Sequence, residues 1–413
     1  MPADSETTDP ELSLLTGADV DDLLAATLAR AGGRVLRWSL RDVDHRPGSR
    51  TTATYVARVA WPDGEREETL GASVRTGGST QLTPPGQDRL IVTDGEHVVE
   101  MWRFPFDPEL PALAAASIPA AASAMLGNLG VDTADLTLRV VSYRPRRRAV
   151  VEVTTRSTRL FLKVLRPRTL AEVRRRHLLL AEAGLPIAHV RGHSDDGLLV
   201  LEALDGAPMR SALDRHGARA SRPDDLIRLL DHLPEEVRHL PRRTPWAAHA
   251  AHYADVIAAS TPDDAGRVRA LAADIDGELA QYGEGDEPTH GDFYEAQLMV
   301  ADGHVTGLLD IDTVGPGRRA DDLACMIAHL SVLTAMEPDA THGVRDALGR
   351  WQAEFERRVS PHELRARTAG VVLSLATGPF RAQEPGWARA TADRVALAER
   401  WLESAGQGAT GAL

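Results

Sequence analysis

The sequence predicts an α+β protein built from more than one packed unit, and three observations carry that prediction. Runs of alternating apolar and polar residues dominate the chain up to about Leu204, apolar residues recur at helical spacing beyond it, and 413 residues exceed what one hydrophobic core usually serves. Residues 1–20 are acidic and read as frayed. Residues 34–61 then read as two strands around the turn Arg46-Pro47-Gly48-Ser49, with Thr54-Tyr55-Val56-Ala57-Arg58-Val59 alternating after it. The alanine-rich stretch from Leu110 to Leu129, with Pro111 and Pro119 near its turns, reads as a helical connection. A second strand–turn–strand passage follows: 136–143, the turn Arg144-Pro145-Arg146-Arg147-Arg148, 149–153 and, after another turn, Arg159 to Val164. The two Arg-Pro turns stand 98 residues apart, which admits an internal duplication or a chance likeness of short hairpins. In that duplication Gly71 and Ala72 of the first copy fall near the lysine of the second.

A helix over about 170–183 ends at Gly184-Leu185-Pro186, and a strand pair around Asp195-Asp196-Gly197 leads to Leu204. From Pro208 the helical spacing runs through 224–240, 245–282, 320–335, 339–359, 361–378 and 386–404, interrupted only by a strand-like passage from His290 to Ile311. The expected organisation is a cap over 1–110, a strand-rich unit over 111–204 and a mostly helical unit over 205–413.

Composition narrows the function. The formal charge of −13 argues against nucleic acid as the main partner, because neutralising a phosphate backbone calls for clustered cations. No apolar run approaches a membrane span, and the acidic start lacks the features of a secretory or transit peptide, so a cytoplasmic protein without a membrane partner is expected. One cysteine, Cys325, builds neither an internal disulfide nor a cysteine zinc cage. Lys163 is the sole lysine against 46 arginines, and Asn128 the sole asparagine, so a position that keeps or replaces either residue is informative.

The densest cluster of reactive side chains is Thr289-His290-Gly291-Asp292-Phe293-Tyr294-Glu295-Ala296-Gln297, followed after a hairpin by Leu308-Leu309-Asp310-Ile311-Asp312. A carboxylate in such a loop can take a proton from a hydroxyl nucleophile, while a carboxamide five residues on and an aspartate after the hairpin can share a hard cation through oxygen. Phosphoryl transfer needs that arrangement, because its catalysis is mainly positioning and charge neutralisation.

On these residues the chain resembles the aminoglycoside phosphotransferase and choline kinase-like family, which implies a protein-kinase-like two-lobed fold with the amino-terminal cap as an addition. His290-Gly291-Asp292 with an amide at the fifth position is similar to the family's catalytic loop, Leu308-Leu309-Asp310 to its metal-binding turn, and Arg319-Ala320-Asp321-Asp322-Leu323-Ala324 to its following helix start. The resemblance spans about 136–404. Where the family usually has asparagine, this chain has Gln297, a feature shared with the maltokinase branch, which also carries an amino-terminal cap.

The resemblance implies ATP and Mg²⁺ as cofactors, with Asp292 as the base for an acceptor hydroxyl on a sugar, amino sugar or aminoglycoside. Gln297 and Asp310 are the implied metal ligands, and Asp312 is either a third ligand or a turn residue. Lys163 is the implied phosphate lysine; the bland alternative is a solubilising lysine on an edge strand. Glu172 either pairs with it or closes a capping box with Thr169. Arg146 stands in the turn that covers the phosphates, unless that charge run is simply solvated, and Glu202 to Leu204 is either the adenine hinge or an ordinary strand end. His290 and Asp322 are expected to brace the loop, Cys325 to be core, and acceptor contacts to come from around Tyr253, Asp263, Glu384 and Trp387. Two rival readings remain: a metal-dependent hydrolase, and a catalytically inactive nucleotide-binding module.

Overall fold

The computed structural model describes residues 9–77, 86–93, 95–336 and 342–406. Helices and strands are mixed as the sequence predicts, and the chain divides into two compact units: 1–171 with 191–202 and 379–387, and 172–190 with 203–378 and 388–413.

The first unit holds two five-stranded antiparallel sheets of one plan. Strands β1 (Arg34–Arg46), β2 (Arg50–Trp61), β3 (Gly64–Thr76), β4 (Arg89–Thr93) and β5 (His97–Arg103) lie in the order β1-β2-β3-β5-β4. Strands β6 (Thr137–Arg144), β7 (Arg148–Thr154), β8 (Arg159–Leu165), β9 (Val190–Ser194) and β10 (Leu198–Glu202) repeat that order as β6-β7-β8-β10-β9. The shared order supports the duplication, but register corrects its detail. Lys163 on β8 faces Val150, two residues past Arg148 at the strand start, and the same count on β2 reaches Thr52, whose partner on β3 is Ser73 rather than Gly71 or Ala72.

The stretch before β1 departs from a frayed reading. Residues 1–8 lie outside the described residues, but helices α1 (Pro10–Thr16) and α2 (Val20–Ala29) follow, and the Asp9 carboxylate caps α1 by accepting from the Leu12 N–H at 3.1 Å. Their Leu15, Val20, Leu24 and Leu28 join Tyr55, Val59 and Leu70 in the core of the first sheet. The second sheet packs against α3 (Leu113–Ser117) and α4 (Pro119–Asn128) through residues such as Leu113, Leu126, Val151 and Leu162, and inner strands of both sheets are buried in continuous runs, 51–55 on β2 and 162–165 on β8.

Helix α5 (Pro167–Glu182) begins three residues earlier than expected. Thr169 therefore lies inside it, its hydroxyl donating to the Arg166 carbonyl at 2.8 Å, and no capping box forms with Glu172.

The second unit is mostly helical: α6 (Met209–His216), α7 (Pro223–Asp231), α8 (Ala250–Ser260), α9 (Ala265–Leu279), α10 (Arg319–Met336), α11 (His342–Phe355), α12 (Pro361–Leu375) and most of α14 (Trp387–Gly406), while the short α13 (Gly378–Arg381) falls mostly in the first. Its strands are short, β11 (Ala207–Pro208), β12 (Glu287–Thr289), β13 (Leu298–Ala301), β14 (His304–Leu308) and β15 (Gly315–Gly317). They form two small sheets, β11-β13-β14 and β12-β15, seated on a core that includes Leu298, Leu308, Ile311, Leu323 and Ile327. No helix among the described residues is long and apolar enough to cross a membrane.

Candidate active site

In the second unit, backbone pairing brings the two halves of the motif together. Strand β12 pairs with β15 so that Thr289 faces Gly315, and β13 pairs with β14 so that Leu298 faces Leu308. The loops 290–297 and 309–314 therefore leave neighbouring strand ends, and the Leu309 N–H donates to the Gln297 carbonyl at 2.8 Å. His290, fully buried, bridges them: its Nε2 lies 3.0 Å from the Leu309 carbonyl, while its Nδ1 accepts from the Asp292 N–H at 3.3 Å. That pairing requires the neutral Nε2–H tautomer, and burial holds the imidazole below its usual pKa, in agreement. Thr313 adds a link by donating its hydroxyl to the His290 carbonyl at 2.8 Å.

Asp322, on the first turn of α10 and fully buried, accepts the His290 N–H at 2.8 Å and the Gly291 N–H at 2.7 Å. Burial raises this carboxyl to about 6, with the two N–H bonds pulling the other way, so it is ionised at neutral pH. Gly291 takes φ +82, and a Cβ there would stand 2.8 Å from the Thr313 carbonyl oxygen, so only glycine lets the two loops approach this closely. His290 and Asp322 brace the loop as the sequence suggested.

Asp292 stands half-buried on this scaffold. Its Oδ2 accepts a long 3.4 Å hydrogen bond from Gln297 Nε2, and its Oδ1 stands 4.0 Å from the Cys325 thiol. Cys325 is buried, as expected of a core residue, but it also forms the floor beneath Asp292; burial, then the Asp292 charge, push its thiol pKa up, so it stays protonated. Asp310 takes the left-handed conformation at φ +49 and ψ +52, which aspartate tolerates better than most residues and which is common at functional turns. Asp312 is buried on the single turn that follows.

Gln297, Asp310 and Asp312 offer only oxygen to a metal, and because Gln297 uses its amide nitrogen toward Asp292, its Oε1 is left for acceptor duty. Such a donor set suits a hard divalent cation such as Mg²⁺. Among the described residues no three His, Cys, Asp or Glu side chains gather into a metal-ligating group.

Three neighbours carried no sequence signal. Tyr294 stacks on His329 with ring centroids 3.8 Å apart and an interplanar angle of 17°. His329 is so deeply buried that its pKa falls to about 3. Glu295, also buried, is raised to about 7 by desolvation, with Arg210 3.6 Å away. Stacking and loop-to-helix ion pairs are made across sequence, between α10 or α6 and the loop, so no local spacing announces them.

In the first unit, Lys163 is buried on β8, the central strand of its sheet, between Val150 and Leu199. The edge-strand explanation therefore fails, since a lysine buried in mid-sheet is not a solubilising surface charge. Arg146 is placed differently from the expectation. Its guanidinium hydrogen-bonds Glu109, Glu100 and Ser73, which takes it into a network with the first sheet and away from service as a free phosphate ligand. Glu202 ends β10 with its carboxylate 3.3 Å from Arg191, and the two units part directly after it. Glu384 and Trp387 lie with the first unit, where Trp387 packs edge-on against Phe380.

In the second unit, Glu172 pairs with Arg176 one turn on at 2.6 Å, and Arg176, wholly buried, donates to the Val314 carbonyl at 2.8 Å. Leu204 packs where a Cβ on Gly307 would stand. Tyr253 is buried beside His249 and His252.

Residues 144–367, over half of the chain, match the phosphotransferase enzyme family. No curated protein matches the chain. Among solved structures, it is similar to an aminoglycoside-3'-phosphotransferase of type VIII, at 22% identity and a TM-score of 0.42 over 61% of this chain and 97% of that one. It is also similar to a macrolide 2'-phosphotransferase from Brachybacterium faecium, at 21% identity and a TM-score of 0.41 over 67% and 97%. A choline kinase from Streptococcus pneumoniae aligns at 14% identity and a TM-score of 0.48 over 69% and 98%.

Proposed function

The chain belongs to the phosphotransferase enzyme family, whose members are small-molecule kinases, and from that premise we propose that it moves the γ-phosphate of ATP to a hydroxyl of a sugar, amino sugar or aminoglycoside. The observation that carries this reading is the immobilised Asp292: a half-buried carboxylate on a loop fixed by Asp322, His290 and Thr313. A base so held needs no reorganisation as the acceptor proton moves to it.

In this proposal Asp292 orients the acceptor hydroxyl and takes its proton, and Gln297 orients Asp292 through its amide nitrogen. Gln297, Asp310 and Asp312 would hold Mg²⁺, which when bound neutralises phosphate charge. Lys163 serves the nucleotide phosphates, a task for a compact ammonium rather than a guanidinium fork. The backbone from Glu202 to Leu204 meets adenine, and Glu172 supports the phosphate lysine only if it leaves Arg176.

The test is a screen of sugars and aminoglycosides for acceptor-dependent ADP release with Mg²⁺. ADP release with an accepted compound, and the phosphorylated product by mass spectrometry, support the reading. A catalytically inactive nucleotide-binding module is the second reading, favoured by Gln297 in the asparagine position and by the absence of glycine from the Arg144–Arg148 turn. It predicts ATP binding with no acceptor-dependent turnover.

A further inference from the structure

The two sheets of the first unit share a turn, and the residue at its third place is the informative difference. In Arg46-Pro47-Gly48-Ser49 the Ser49 N–H donates to the Arg46 carbonyl at 3.0 Å, and Gly48 takes φ +68. In Arg144-Pro145-Arg146-Arg147 the Arg147 N–H donates to the Arg144 carbonyl at 3.0 Å, and the residue with the left-handed φ, +59, is Arg146. Proline second and positive φ third define a type II turn, whose third place favours glycine because a Cβ is unwelcome there. The first turn has the favoured residue; the second holds an arginine against its backbone preference.

What compensates is a set of bonds to the cap. Asp107, buried, accepts the Arg146 N–H at 2.7 Å and the Tyr143 hydroxyl at 2.8 Å, and Tyr143 in turn accepts from Trp102 at 2.7 Å. The Arg146 guanidinium donates twice to Glu109, at 2.8 and 3.0 Å, once to Glu100, and to Ser73 at 3.1 Å. Ser73 is the cap position that register equates with Lys163. At that place the cap carries a serine, whose hydroxyl accepts from the arginine of the other sheet's turn.

We infer that the cap is a clamp on the β6–β7 turn, with Arg146 as a positioning residue that Asp107, Glu100 and Glu109 hold so that the turn stays preorganised over the nucleotide phosphates. This rests on the kinase reading for the ligand, but the clamp itself is a property of the first unit. A glycine turn covers phosphates by its own backbone; here an internal ion-pair network replaces the missing glycines, and a preorganised turn binds without an ordering penalty.

Two variants test it in the full-length protein. Arg146→Gly suits the turn's backbone and removes the guanidinium bonds of the clamp, leaving only the N–H bond to Asp107; Glu109→Gln keeps the backbone and weakens those bonds. Both are expected to raise KM for ATP at least tenfold with a much smaller change in kcat, and the double variant to be no worse than the worse single one, since the two residues act as one unit. Hydrogen exchange reads the clamp without activity: amide exchange at 146–148 is expected to rise at least tenfold in Glu109→Gln. Unchanged exchange there in the folded variant overturns the clamp. Faster exchange with an unchanged KM for ATP overturns its role at the phosphates. If the wild type binds no ATP by calorimetry, the kinase reading and the nucleotide role fall together, while the exchange result still decides whether the cap holds the turn.

Discussion

Removing the Asp322 carboxylate tests how the catalytic loop is held. Asp322→Ala leaves the His290 and Gly291 N–H groups, now bonded at 2.8 and 2.7 Å, without that partner, the first in a fully buried place and the second in a half-buried one. Hydrogen bonds to a charged group contribute about 1.5–3 kcal/mol each, so the gross loss is about 3–6 kcal/mol. Against it stands relief from burying the charge: a carboxyl moved from 3.8 to about 6 sits in surroundings that disfavour its ionised form by about 3 kcal/mol. The balance is a net loss of up to about 3 kcal/mol, a large share of the roughly 5–15 kcal/mol that holds a protein folded. Urea unfolding at pH 7.5, followed by tryptophan fluorescence, measures it. Because the lost bonds fix the loop beside Asp292, kcat for an accepted substrate is expected to fall at least tenfold as well. A stability change below about 0.5 kcal/mol, with kcat intact, would refute the bracing role, since that is the range of surface substitutions that break no buried bond.

Lys163→Arg keeps the charge but replaces an ammonium with a broader fork inside a packed sheet, so ATP affinity should fall at least tenfold by calorimetry, and an unchanged affinity would detach Lys163 from the nucleotide. Gln297→Ala removes the amide from the proposed metal set and should raise the Mg²⁺ concentration needed for half-maximal activity several-fold; unaltered metal dependence would point to other ligands. His329 is held neutral down to about pH 3, so below pH 6.5 the unfolded chain binds a proton there that the folded chain does not. Stability from this site is therefore lost as pH falls from 6.5 toward 3, by about 1.4 kcal/mol per pH unit at most. His329→Phe, which keeps the stack on Tyr294, should make the acid limb of urea stability shallower than in the wild type, and parallel limbs would contradict the assignment.

The sequence carried much of this because the informative signals were local. Alternation gave the hairpins around Arg46–Ser49 and Arg144–Arg148, and helical spacing gave the helices after Pro208, since both periods are read within a few residues. The loop 290–297 was legible for the same reason, as His290, Asp292 and Gln297 are fixed by one turn and its following strand. The failures were of longer range. Helix α5 starts at Pro167 because proline fits a first helical turn, which moved Thr169 inside and left Glu172 to Arg176. The charge run at Arg144–Arg148 offered no way to learn that Arg146 is engaged by Glu100 and Glu109, residues brought near only by the pairing of sheets. Lys163 was singled out by its scarcity and by the family resemblance; its burial on a central strand depends on β10, which the chain supplies 35 residues later.

The most direct test of the account is phosphoryl transfer by Asp292→Asn, measured beside the wild type with one accepted acceptor, saturating ATP and Mg²⁺. Asparagine keeps the shape and can still accept from Gln297, but it cannot take the acceptor's proton. The account predicts a loss of kcat of at least a hundredfold with ATP affinity within about threefold of the wild type, because general-base catalysis contributes about 10²–10⁴-fold. Full transfer by Asp292→Asn would contradict it, and would leave the braced loop without the chemical role assigned to it.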